Sequence, residues 1–400
     1  MQYLSLKKMY HIDQNAANEL YLQRFNSEFS KKLPITIHGF QCFYIVNEEI
    51  LNLITSIYDI NNQIVKKISS SHVSSFAIHY LKLKSLVEEV RSSNDMEGIY
   101  STKKEIHNLM NASSNQKQFR FYGQVKKYMT LDEDIDFHVR NSFEVRKLYD
   151  DVLSDDISKD NELDGIVFRK GDVEVTTGVK TIHNGVSGEK NILEMMDNAL
   201  SVLNDDSIHI LICIALFHYL FEYIHPFYDG NGRMGRLLSC GYLSNQFHIL
   251  CALQLSIGCL HNRKQYYDAF KLTSDIRNKA DLTIFIIMFL EIYLDGLKKL
   301  KDNIDETINH YLQNKKLLNK ILNQKEYALC HMLLEGTLFA IEPLTMKELE
   351  KVTKMSHVTI KNTINHINKK YSIITINENN KPYRYSIDID MLNTIVNENN

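Results

Sequence analysis

The sequence predicts a mainly α-helical protein carrying a small β-hairpin and a compact C-terminal module. Three observations lead there. Only four prolines interrupt 400 residues, and proline is the strongest helix breaker. Long stretches place apolar residues at helical spacing. Extended-type sequence, rich in β-branched and aromatic residues, is confined to short segments.

The helical stretches are 48–68, 72–90, 192–203, 207–224 and 282–299. The segment before residue 71 reads as helical and carries no assignable role. Residues 165–175 (GIVFRKGDVEV) read as a hairpin turning at Lys170-Gly171-Asp172, set inside the helical domain. From about Asn303 the chain becomes polar, Lys- and Asn-rich, which marks a linker helix over 303–324. Beyond it, 325–335, 345–354 and 358–370 read as short helices. Ile373–Ile376, a turn at 377–382 and Tyr383–Ile387 read as two strands. Three helices followed by a hairpin is the winged-helix order. The resulting division is 1–100, 101–302, 303–324 and 325–400.

Composition excludes little but bounds the class. With 44% hydrophobic and 24% charged residues and a net charge of −3, the chain is an ordinary globular one and not a general polyanion binder. Six cysteines without a CxxC pair predict buried free thiols rather than a disulfide frame or zinc site. The N-terminus lacks the apolar core of a secretion signal, and 208–224 and 282–297 carry charged residues or histidines that spoil a membrane span. The expectation is a cytoplasmic protein with no membrane partner.

The chemistry concentrates in His225-Pro-Phe-Tyr-Asp-Gly-Asn-Gly-Arg-Met-Gly-Arg236. Pro226 must end the preceding helix, since the residue before proline avoids the helical region. A new helix reads from Arg233 to Gln246. The loop therefore ends at a helix N-terminus, where free N–H groups and the dipole attract an anion. Gly230 and Gly232 let backbone approach a phosphate closely. Arginines at 233 and 236 are unfavourable to a helix start unless an anion sits between them. Asp229 offers the hard oxygen that Mg²⁺ on phosphates requires, and His225 is a base that titrates near neutrality.

This string matches HxFx(D/E)GNGRxxR, the signature of the Fic family, at every specified position, and the chain is identified as resembling that family from about His72 to Leu297. The resemblance implies a helical enzyme transferring AMP from ATP to a Ser, Thr or Tyr hydroxyl of a protein, itself included. His225 would be the base, Asp229 would hold Mg²⁺, and Gly230, Asn231 and Gly232 would form the anion hole. Arg233 and Arg236 would meet the β- and γ-phosphates, and Phe227 would anchor the loop. The hairpin around Phe168-Arg169 and from Val173 to Asn184 is similar to the flap that covers ATP and pairs with the target's backbone, which would place Val175, Thr176, Thr177 and Gly178 against the nucleotide. Tyr266 and Tyr267 match paired tyrosines that line the nucleotide; where members carry asparagine seven residues later, this chain has Ser274, and core packing of the tyrosines is equally compatible.

Ser93-Asn-Asp-Met-Glu97-Gly98 matches the family's inhibitory motif (S/T)xxxE(G/N), placed N-terminal to the catalytic loop as in class II. The resemblance implies that Glu97 pairs with Arg236 and keeps it from seating the γ-phosphate. Asn94 and Glu97 also have capping-box spacing. Glu97 could instead position water to remove AMP. Alternatives are a nucleotide-sensing transcription regulator and a Fic enzyme using another donor. Residues 345–385 carry eight lysines and arginines against three acids, so 325–400 could contact DNA, through Lys361, Asn362, Asn365 and His366, or a protein; a homodimer is also open.

Overall fold

The computed structural model describes residues 3–71, 73–110, 112, 119–133, 136–177, 180–379 and 381–398. The chain divides into two compact units, one built from 1–61 and 86–298 and the other from 62–85 and 299–400. The boundaries fall inside three long helices rather than in a loop.

The first unit opens with α1 (Leu6–Ile12) and α2 (Gln14–Phe25), followed by strands β1 (Ser30–Ile37) and β2 (Phe40–Ile45). These strands form an antiparallel pair where the sequence reading had only helix. Leu33, Ile35 and Ile37 alternate inward, and His38 and Gly39 both adopt positive φ at the turn. That is a two-residue hairpin signature, short enough to be overlooked beside long helical patterns.

Helices α3 (Glu48–Ser70), α4 (Ser75–Met96), α5 (Lys103–Met110), α6 (Tyr122–Thr130) and α7 (Ser142–Leu153) come next. The predicted hairpin at 165–175 is displaced. Strands β3 (Glu174–Thr177) and β4 (Lys180–Asn184) pair antiparallel instead. Residues 165–171 are irregular because Arg169 and Asp164 tie them to the neighbouring loop, as described below.

Helices α8 (Glu189–Leu203), α9 (Ile210–Ile224) and α10 (Asn231–Ser244) form the centre. Twelve of the fifteen residues of α9 are buried, as its all-round apolar sequence requires. Short helices α11 (Ile249–Ala252), α12 (Leu255–His261) and α13 (Arg263–Thr273) lead to α14 (Thr283–Ile321). The sequence reading split α14 at a change of composition near 303; the helix runs through it without a break.

The second unit contains α15 (Gln324–Phe339), β5 (Leu344–Thr345), α16 (Met346–Thr353), α17 (His357–Lys370), β6 (Ile374–Asn377), β7 (Arg384–Ile387) and α18 (Ile389–Glu398). The hairpin gains a third strand, in the order β5-β7-β6. Capping boxes at Asn323/Glu326 and Thr345/Glu348 fix two helix starts. Its core gathers Leu329, Leu333, Ile360, Ile364 and Ile387 with Ala77 of α4. All six cysteines are buried and unpaired. No helix among the described residues is long and apolar enough to cross a membrane.

Candidate active site

The site forms where α9 ends and α10 begins. His225 caps α9 in the left-handed conformation, φ 54°, a region that costs a non-glycine residue about 1–2 kcal/mol and clusters at functional sites. Three contacts hold it there. Its N–H donates to Phe221 O at 2.9 Å, its Nδ1 lies 3.3 Å from Glu222 O, and its carbonyl accepts from Arg169 Nε at 2.8 Å. A proton on Nδ1 satisfies the Glu222 carbonyl and leaves the Nε2 lone pair as the basic one.

Arg169 is fully buried and organises more than His225. Its Nη2 donates to Val186 O at 2.8 Å and Ile224 O at 3.3 Å, and its Nη1 to Gly171 O at 2.5 Å. Tyr228 extends the tie: its hydroxyl donates to Asp164 at 2.9 Å and accepts from Gly171 N at 2.8 Å. The chain entering β3 and the chain leaving β4 are thus both bound to the loop, since Val186 N also donates to Ile224 O at 3.1 Å. The sequence places this arginine in the flap-like segment but says nothing of the carbonyls it binds.

The loop itself is rigid. Phe227 has no exposed surface; it stacks on Tyr149 at 3.8 Å and meets Phe168 edge-on at 5.5 Å. Asn231 spends its whole side chain on the loop, accepting from Phe227 N at 2.9 Å and donating to Phe227 O at 2.8 Å. Only its backbone N–H is left for an anion. Gly230 is the N-cap of α10 at φ 83°, where a Cβ would also meet Leu153 at 2.7 Å. Helix α10 starts two residues earlier than the sequence reading placed it, which puts Asn231 and Gly232 in the first turn with Arg233.

Arg233 and Arg236 are both buried. Arg233 lies 3.9 Å from Asp156 and 3.6 Å from Asp229, and its Nε and Nη2 have no protein hydrogen-bond partner. Buried donors are normally paired, so these N–H groups stand out as available to a bound group. Asp156, which the sequence reading missed, has its carboxyl pushed up by burial, against the Phe121 N–H bond and the Arg233 charge.

Arg236 is held through its Nε and Nη2. Its Nη2 donates to Glu97 Oε1 at 2.7 Å and to Ser93 O at 2.9 Å, and its Nε to Ser93 Oγ at 3.1 Å. Burial alone would lower the guanidinium; the charges of Glu97, Tyr266 and Glu222 outweigh it and hold it well above its ordinary value. The Glu97 carboxylate lies directly over Gly232, where a Cβ would fall 2.0 Å from Oε1. Gly98 ends the turn at φ 72°. Asn94 lies in the last turn of α4, so the capping-box spacing has no N-terminus to cap. Glu222 adds a second carboxyl beside the same arginine. Its Oε1 is shielded and unpartnered, and burial, reinforced by Glu97, raises its pKa to about 8 against the pull of Arg236.

The two tyrosines part company. Tyr266 faces the core, its hydroxyl 2.8 Å from His218 Nε2, and burial lowers that histidine to about 3. Tyr267 is half-buried and donates to Met96 O at 3.0 Å. Val175, Thr176 and Thr177 lie in β3; Gly178 lies outside the described residues. Asp229, 38% exposed, accepts from Gly230 N at 2.5 Å. Among the described residues no three His, Cys, Asp or Glu side chains gather as a metal cage. Asp229 instead presents one accessible carboxylate beside the start of α10, where helix geometry leaves backbone N–H groups without internal partners, a donor set that would suit a cation shared with a phosphate ligand.

Residues 141–243 match the Fic/DOC family. That segment holds α7 through most of α10, with His225, Asp229, Arg233 and Arg236. A probable protein adenylyltransferase of Aquifex aeolicus is 32% identical over 112 residues, 27% of this chain and 29% of that relative. The alignment thus spans under a third of the curated relative's length. A Fic family protein from Desulfovibrio desulfuricans G20 shares the fold at a TM-score of 0.52, with 19% identity over 86% of this chain and 97% of the other. A Fic domain containing signaling protein from Bacteroides thetaiotaomicron aligns at 17% identity and a TM-score of 0.45, over 62% of this chain and 97% of its own.

Proposed function

We propose that this protein transfers AMP from ATP to a protein hydroxyl, and that Glu97 restrains the reaction. The observation that carries the reading is the asymmetry at the start of α10: beside His225, Arg233 keeps unpartnered buried donors while Arg236 is occupied by Ser93 and Glu97. The name of the Aquifex aeolicus relative points the same way.

In this scheme Nε2 of His225 takes the proton of the target hydroxyl. The oxygen attacks the α-phosphorus, and the bond to the β-phosphate oxygen breaks, releasing pyrophosphate. Arg233 and the N–H groups of the first turn of α10 stabilise the growing charge, which in such sites is usually the largest catalytic contribution. Asp229 would hold Mg²⁺, which supplies further neutralisation of the phosphates. With Glu97 on Arg236, the γ-phosphate loses its partner and meets a carboxylate instead, so ATP seats with its α-phosphorus misaligned. Such misplacement is costly because the reaction depends on near-attack geometry.

The test is transfer of label from α-labelled ATP with Mg²⁺ to protein. Label in Glu97→Gly protein, lost in Glu97→Gly/His225→Ala, supports transfer, restraint and base together. Equal labelling with and without His225 refutes the assignment.

The second unit supports an additional reading, a winged-helix module that contacts DNA. It holds 18 lysines and arginines against 12 acids, an excess of six, while the rest of the chain has 28 against 37. A groove of about 900 Å³ between α17 and the β6–β7 hairpin is lined by Lys347, Lys361, Asn365, Lys381 and Tyr383. His366, 69% exposed, lies 3.3 Å from Glu326, and Lys361, Asn362 and Asn365 are exposed on the same helix. Retention of the full chain on duplex DNA that falls with salt and with Lys361→Glu favours this reading; no retention at low salt refutes it.

A further inference from the structure

We propose that Arg263 and Tyr267 form a latch on the last turn of α4, and that Glu97 is released by opening this turn while the rest of the helix stays in place. The proposal rests on the reading of Glu97 as a restraint.

Glu89 and Ser93 lie four apart on one face of α4, and Glu97, one interval on and just past its end, falls on the same side. Glu89 is fully buried. Its carboxylate accepts from Ser256 N at 3.0 and 2.9 Å, from Ser256 Oγ at 2.6 Å and from Ile257 N at 3.4 Å. One turn on, Ser93 holds Arg236 through its carbonyl and hydroxyl. Shifting this part of α4 as a body would strip a buried carboxylate of its donors, a large penalty. That excludes withdrawal of the whole helix as the easy route for moving Glu97.

The end of α4 is held differently. Met96, the last helical residue, is itself buried, but its carbonyl is one of the terminal acceptors that helix geometry leaves without an internal partner. Arg263 Nη2 donates to it at 3.1 Å and Tyr267 Oη at 3.0 Å. The guanidinium also lies 5.8 Å above the Tyr267 ring. A cation at a helix C-terminus is the favourable sign. Beyond Met96, the chain turns through Gly98, where nothing lies within 4 Å of the Cβ direction. The backbone bonds closing the turn, Glu97 N and Ile99 N to Asn94 O, each at 3.0 Å, and Gly98 N to Asp95 O at 3.1 Å, are of the kind that terminal fraying breaks first. Residue 97 can therefore leave Arg236 by unwinding into open space, and the two donors on Met96 O oppose that unwinding. Both come from α13, so whatever moves α13 moves the latch.

Four proteins decide it: wild type, Arg263→Ala, Glu97→Gly and the double variant, compared for self-labelling from α-labelled ATP, with hydrogen exchange of residues 92–100. Arg263→Ala should raise labelling about two- to tenfold over wild type, the population change that one net hydrogen bond controls. It should leave labelling unchanged in the Glu97→Gly background, and it should speed exchange at 94–99 while residues 225–236 keep their protection. Arg263→Lys, which preserves a cationic donor, should stay near wild type. Strong labelling by Glu97→Gly with none gained in Arg263→Ala would overturn the latch. So would an Arg263→Ala effect that persists without Glu97, because the arginine would then act on transfer itself. If Glu97→Gly gains nothing, the restraint beneath the proposal fails, and unchanged exchange at 94–99 in Arg263→Ala would reject the latch separately.

Discussion

The surroundings of Arg233 and of Arg236 differ sharply although the two residues sit one turn apart on α10. Both guanidinium groups are removed from solvent. Arg236 meets the carbonyl and hydroxyl of Ser93 in α4 and the carboxylate of Glu97 just past its end. Arg233 has two acids at 3.6 and 3.9 Å, too far to satisfy its Nε and Nη2. A buried arginine with donors to spare can accept a ligand, whereas one whose Nε and Nη2 are taken by the protein has fewer donors to offer. On the proposed function, the same residue type three positions apart serves as a receptor and as a closed gate because different segments face it.

Four experiments would sharpen or break this contrast. The largest effect is expected from His225→Ala in a Glu97→Gly background: labelling from α-labelled ATP should fall on the order of a thousandfold, the usual scale for a general base. A fall of less than tenfold would remove the base from His225. Next, Arg233→Gln in that background should lower labelling on the order of a hundredfold, as loss of one preorganised donor does. Little change there would mean that its spare N–H groups serve no anion. Glu97→Gly alone should raise labelling at least tenfold over wild type, the factor that about 1.4 kcal/mol represents, and equal labelling of the two would dissolve the gate.

The smallest effect concerns stability. Glu222 has its pKa raised from 4.5 to about 8 by burial and by Glu97. A raised acid favours the folded state fully only below its unfolded value, and that contribution is lost as pH climbs through about 8. Glu222→Gln should therefore melt higher than wild type at pH 9 and close to it at pH 4.5, as followed by circular dichroism. A gap of equal size at both pH values would show that packing, not the charge, sets the difference.

The loop and its helices were legible because their chemistry is local. Pro226 stops α9, glycine starts α10, and the residues that need an anion lie within twelve positions. Glu97 was legible through a short motif, but its distance of 139 positions from Arg236 made the pairing an expectation until α4 and α10 were seen together. Arg169 was legible only as part of a flap-like segment, and Asp156, Glu222 and Arg263 left no such trace. Each acts through backbone carbonyls, N–H groups or charges brought by remote segments, and no spacing rule encodes those. The β1–β2 hairpin was missed for the opposite reason: its signal was present at His38-Gly39 but outweighed by helical patterning on either side.

What the sequence determined by itself was the helical class, the breaks between α9 and α10, and the set of groups available for phosphate chemistry, because backbone propensity and the needs of an anion are written in adjacent residues. The tertiary structure alone decided which arginine is occupied, which tyrosine turns into the core, and what fastens the end of α4. Those outcomes depend on burial and on unpaired donors, which exist only once distant helices have packed against one another.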